Sequence, residues 1–154
     1  DPDRLITLAR SYPGWAGVCY LMAGLLAYSH GGHLRASELL QHGLRQVDYL
    51  TKRSRQLEYF IRNGATSSML TKLFKISSAD VTLKRRLFSG TSSSLRRPAM
   101  PPHALRELIQ RRWYEIRKGK QEEPERAEDY EALHKDFSQH TFATLYAVVH
   151  EFDE

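Results

Sequence analysis

Cys19 is the only cysteine in the 154 residues, which excludes an internal disulfide framework and a cysteine-built zinc cluster. It lies in an apolar run and reads as a buried, inert thiol, consistent with a reducing, cytoplasmic compartment. Charge is missing over a long window as well, with no Asp, Glu, Lys or Arg between Ser11 and Leu34. The apolar heart of that window, 15–28 (WAGVCYLMAGLLAY), has only fourteen residues. A membrane-spanning helix needs about 20, and the compact basic start and cleavage site of a secretory signal are also lacking. The expectation is therefore no membrane partner. The window reads instead as a helix buried on most sides, in the core or in a dimer interface, with Gly17 and Gly24 permitting close approach. A Gly-rich phosphate loop, a nucleophile elbow and a ligand set at metal spacing are absent too. His30, His33 and His42 gather around a glycine turn with no thiol or carboxylate in register. No enzyme, metal, cofactor or small-molecule substrate is expected.

The charge that is present is unevenly distributed. The whole chain carries +5. Residues 1–51 have four basic and four acidic side chains, net zero. Residues 52–97 have eleven basic against two acidic, net +9. Residues 98–120 have six against two, net +4, and residues 121–154 two against ten, net −8. A strongly basic block is the footprint of phosphate contacts. The acidic end reads as a solvated face or a surface for a basic partner. These shifts divide the chain into N-terminal apolar helices (1–51), a basic helical unit (52–90), a linker (91–102) and a C-terminal helical unit (103–154). Asp1 stands where a methionine would, so the sequence reads as a piece of a longer chain.

The basic unit has the order of parts of a helix-turn-helix. Apolar residues recur at helical spacing over 54–63, 67–75 and 79–88, namely Leu57, Phe60, Ile61, Met69, Leu70, Leu73, Phe74, Val81, Leu83 and Leu87, so each piece offers one face to a shared core. Gly64 and the Ile76-Ser77-Ser78 corner break the helices. Ser77 and Ser78 stand where an N-cap is wanted, with Asp80 in the first turn. Thr71 is the small residue facing the second helix, Phe74 and Ile76 flank the turn, and Val81 points inward. One residue departs from the pattern: Lys75 stands where glycine is usual after the first helix. A supporting helix and a recognition helix joined in this way can place the second in the DNA major groove. A three-helix core with no DNA role has the same apolar period.

Elsewhere the reading is all-α. Gly31 and Gly32 end the first apolar helix. Residues 33–51 read as a helix pair broken near Gly43, with Leu34, Leu39, Leu40, Leu44, Val47 and Leu50 along one side. Residues 89–102 (SGTSSSLRRPAMPP) read as an inert spacer or as a basic arm that orders on DNA. Residues 104–118 form a helix with Leu105, Leu108, Ile109, Trp113 and Ile116 inward, ended by Gly119. Two more helices, 128–135 and 141–152, turn a corner at 137–140. They are the outline of a second helix-turn-helix, but the last helix has no Lys or Arg and reads as structural or protein-binding.

Several of these residues carry a family resemblance. Arg62-Asn63-Gly64-Ala65, Met69-Leu70, the Ile76-Ser77-Ser78 turn, Leu83 and Arg86-Leu87 are similar to the helix-turn-helix of the flagellar master regulator subunit FlhC. They are closer still to the FlhC-like regulators carried by integrative and conjugative elements of proteobacteria. Arg112-Trp113 and Leu145-Tyr146 resemble counterparts in the helices that follow, and the likeness covers residues 57–152. It implies a DNA-binding transcriptional activator, often working with a second protein, that switches on excision or transfer genes. FlhC itself carries a cysteine zinc site. This chain has no cysteines to build one, so the zinc is not carried over.

The expected function is DNA-binding transcription regulation. Ser78, Ala79, Thr82, Lys84 and Arg85 face the bases, while Lys72, Lys75, Arg86, Arg96 and Arg97 hold phosphates. The expected partners are double-stranded DNA and either a second copy of the chain or another regulator. The competing expectation is a protein-interaction adaptor working through the N-terminal apolar or C-terminal acidic helices.

Overall fold

A computed structural model describes residues 2–89, 100–120 and 122–152. The protein is all-α, and every regular element among the described residues is helical. α1 (Pro2–Ser11) leads through a 3-10 turn to α2 (Ala16–Ser29) and the long α3 (His33–Arg62). α4 (Ser67–Phe74), α5 (Ser78–Ser89), α6 (His103–Arg117), α7 (Ala127–Asp136) and α8 (Phe142–Val149) follow. None of the described helices is long and apolar enough to cross a membrane. The chain forms two compact units, Asp1–Arg55 and Gln56–Glu154. Residues of 52–90 and of 103–154 thus share the second unit, and the dividing point falls inside α3.

The first unit packs through its smallest residues. α2 buries Ala16, Gly17, Ala23, Gly24 and Ala27, and against them runs the first part of α3. A Cβ on Gly17 would stand 2.8 Å from Val47 Cγ2, and one on Gly24 2.7 Å from Leu40 Cγ. Gly43 does the same from the other side, 2.9 Å from Leu21 Cγ. The helix pair expected around Gly43 is therefore one unbroken helix. Its glycine marks a close crossing: glycine costs a helix interior about 1 kcal/mol relative to alanine, and here its missing Cβ leaves the room that Leu21 occupies. α2 is also not covered on most sides. Its large residues Val18, Met22 and Leu25 are exposed, because the approach that buries the small face leaves the large side chains outside. Cys19 is only half-buried. The turn after α2 follows expectation: Gly31 has φ +80 and Gly32 N–H donates to Ala27 O at 2.9 Å, a Schellman closure.

The second unit packs through large aromatic side chains. Phe60 of α3 stacks on Phe142 of α8 with centroids 4.0 Å apart and planes 10° apart. Phe74 meets Phe60 edge-on, and His134 of α7 stacks on Phe142 from the other side. Tyr130, Met69, Leu70 and Val81 complete this core with no exposed surface. Ile109, Leu133, Leu145 and Val148 form a second cluster beneath α6. Backbone joins the helices as well. Phe142 N–H donates to Asn63 O at 3.0 Å and Ala143 N–H to Gly64 O at 3.3 Å. The free donors at the start of α8 thereby satisfy free carbonyls at the end of α3. Gly64 has φ +76, and a Cβ there would press on Thr141 at 3.1 Å.

Candidate nucleic-acid interface

α4 and α5 meet at a three-residue turn whose parts can be traced to single residues. Thr66 caps α4, its hydroxyl accepting from Met69 N–H at 3.2 Å. Lys75 ends the helix in the left-handed conformation, φ 52 and ψ 42. The residue that departs from the helix-turn-helix pattern thus adopts the conformation that glycine would supply there. Ser77 then opens α5 with a reciprocal cap. Its hydroxyl accepts from Asp80 N–H at 3.1 Å and donates to the Asp80 carboxylate at 2.6 Å. The hydroxyl bond, with the Ser77 N–H donating to the same carboxylate at 3.4 Å, holds the Asp80 carboxyl below its ordinary range.

The core face of the pair is Met69, Leu70, Phe74 and Val81, all buried. Leu83 and Leu87, expected on that face, point out and are 57% and 70% exposed. The inward line of α5 runs instead through Val81 and Phe88, seven residues apart, with Phe88 packed on the core. Lys84 and Arg85 flank this line and are half-buried. The Arg85 guanidinium donates to Ala65 O, and its buried Nε finds no acceptor among the described residues. Desolvation lowers the Arg85 pKa, though a guanidinium still keeps its charge. Of the five residues expected to face bases, Ser78, Ala79 and Thr82 are exposed on α5, and Arg85 turns back towards the turn before α4. Arg86, expected on phosphate, is exposed on the outward side with Leu83.

The flanking cations divide. Lys75 is exposed at the turn. Lys72 pairs with Glu125 of the acidic link at 2.9 Å, its side chain half exposed, and that bond raises its pKa. Arg96 and Arg97 lie outside the described residues. Burial pushes the Glu125 carboxyl up, but bonds from His150 and Lys72 outweigh it and hold the group at about 2. His150 Nε2 lies 3.3 Å from the other Glu125 oxygen and 2.9 Å from the Tyr130 hydroxyl. The acidic stretch is therefore not simply a solvated face. Glu122, Glu123 and Glu128 are exposed, whereas Asp129 is buried and accepts from Arg117 at 3.1 Å. Nothing in the sequence ties Glu125 to a lysine 53 positions earlier, so that pairing was not legible there.

The second helix pair cannot present itself in the same way. Phe142, Ala143, Thr144, Leu145 and Val148 of α8 are buried, so its face is used inside the unit. Leu108, expected inward on α6, is half exposed while Ile109 is fully buried. In the first unit, His30 Nδ1 is 2.7 Å from Leu26 O, and His42 sits edge-on to Tyr20. No curated protein and no solved structure matches the chain. Residues 34–154 match the family model described as a protein of unknown function (DUF2857), and the chain belongs to that family.

Proposed function

We propose that this protein is a sequence-specific DNA-binding regulator that lays α5 in the major groove. The observation that carries the reading is the left-handed turn at Lys75 joined to the outward N-terminal face of α5. Ser78, Ala79, Thr82 and Leu83 are all exposed there, and Arg86 is exposed in the last turn. The first residues of a recognition helix are those that reach base edges. Their chemistry is mixed, with the Ser78 and Thr82 hydroxyls to bond base edges and the Ala79, Thr82 and Leu83 methyl groups to meet thymine methyls, while Arg86 holds a phosphate. Lys75, and Lys72 when it leaves Glu125, supply the flanking phosphate contacts. Arg85 supports the helix rather than reading bases. The resemblance to FlhC-like regulators of integrative and conjugative elements points the same way, towards an activator of transfer genes.

The test is selection of duplexes from a randomised pool by the immobilised chain, followed by anisotropy titrations on the selected site and a scrambled one. Thr82→Ala with Leu83→Ala is expected to weaken the selected site about tenfold and leave the scrambled one unchanged. Lys75→Gly with Arg86→Gln is expected to weaken both alike and to lower the salt slope by about 2. A pool that yields no enriched sequence, or a slope that does not move, sinks the reading. A second reading, an interaction module, is favoured by the exposed Val18, Met22 and Leu25 on α2. Under it the chain is not held by duplex DNA at all.

A further inference from the structure

Behind the turn, within the second unit, lies an open cavity of about 620 Å³. That falls in the about 300–1,000 Å³ range of small-molecule sites. Its lining includes the rings of Trp113 and Tyr114 of α6 and of Phe152, with Lys72, Lys75, Glu123 and Glu125. Tyr114 and Phe152 are 61% and 78% exposed, so both rings leave apolar area uncovered. Trp113 is half-buried, tilted on Tyr130 with centroids 4.5 Å apart.

The charges of the lining are nearly all engaged within the protein. Arg117 donates to Asp129 and to the carbonyls of Glu123 and Pro124. Lys72 is held by Glu125, which His150 also contacts. Glu123 pairs with Arg126 at 2.8 Å. Lys75 is the lining cation that meets no anion among the described residues. The cavity thus offers one uncompensated positive charge beside aromatic walls. One unpaired ammonium matches a ligand with one negative charge and leaves the further charges of a polyphosphate without a partner.

We infer that this cavity binds a small planar aromatic acid, its carboxylate on Lys75 and its ring against Tyr114 and Phe152. The inference rests on the cavity and is independent of the DNA reading. It is tested on the full chain, labelled with nitrogen-15, by following the two tryptophan indole N–H signals, with Trp15→Phe to assign them. 2-Naphthoate is expected to move the Trp113 signal saturably and to leave Trp15 in place. 2-Naphthol, which lacks the charge, and cyclohexanecarboxylate, which lacks the aromatic ring, are each expected to bind about tenfold more weakly. Lys75→Gly removes the ammonium without straining the backbone, and about tenfold weaker naphthoate binding is expected. Phe152→Ala, at an exposed site, is expected to weaken it as well. A Trp113 signal indifferent to naphthoate at millimolar concentration overturns the inference. So does equal binding of naphthoate by the parent chain and Lys75→Gly.

Discussion

α2 and α8 both lack a charged side chain, and they bury opposite parts of themselves. α2 covers its alanines and glycines and leaves Val18, Met22 and Leu25 exposed. α8 covers Phe142, Leu145 and Val148. Apolar content alone states that some face of a helix must be covered. The size of the residues on that face decides whether the contact is a close backbone crossing or an interlocking of large side chains. In α8 the large residues fill the space between α3, α6 and α7. In α2 the glycines let α3 come so near that the large residues cannot also fit between.

The sharpest way to break this comparison is to empty the aromatic side of it. Phe142→Ala removes a ring with no exposed surface from between Phe60 and His134. Large-to-small changes of this kind cost about 3–5 kcal/mol. One tryptophan lies in each unit, Trp15 and Trp113, so single-tryptophan variants report the two separately in urea. The Trp113 transition is expected to fall to lower urea while the Trp15 transition stays. If both fall together, the two units unfold as one through α3, and the contrast between them has no thermodynamic counterpart.

The middle-sized effect comes from filling the glycine side. Gly24→Val adds a branched side chain where even a Cβ stands 2.7 Å from Leu40 Cγ and 3.2 Å from Ala36 O. Leu40 can turn aside, but the carbonyl cannot, so the helices must separate, at about 1–3 kcal/mol. Here the Trp15 transition is the one expected to move. An unchanged midpoint means that α2 and α3 are already loosely held.

Which of these features could be read from sequence follows from the range of the interaction. The turn after α2 at Gly31 and Gly32, the Ser77–Asp80 cap, inward Val81 and the break at Gly64 are settled within a few residues, and each follows from residue chemistry. Gly43 misled, reading as a break inside what is one helix, because a glycine that ends a helix and a glycine that crosses another helix look alike until the partner is known. Leu83 and Leu87 misled for a related reason. Apolar spacing fixes a period but not which residue lies at its centre, and on α5 the centre is set by Val81 and Phe88 meeting the core. Arg85 bonding Ala65 O and Glu125 holding Lys72 join residues 20 and 53 positions apart. No local pattern announces such pairs, and they rearrange the candidate site more than any helix boundary does.

The smallest expected effect sets two left-handed residues side by side. Gly64 and Lys75 both have positive φ, +76 and 52; a Cβ on Gly64 would also meet Thr141, whereas Lys75 already carries its side chain there. A side chain in the left-handed region costs about 1–2 kcal/mol. Replacing it with glycine frees that cost, less the about 0.4–1 kcal/mol of extra entropy that glycine gives the unfolded chain. Lys75→Gly is therefore expected to stabilise the second unit by about 0.5–1 kcal/mol, read as a higher urea midpoint at Trp113. The same variant is expected to bind duplex DNA more weakly. Stability and binding moving in opposite directions would identify Lys75 as a position where a strained backbone is kept because its ammonium has a use outside the fold. If stability rises and affinity for DNA and for naphthoate both hold, the lysine has no such use, and the turn belongs to a structural helix pair.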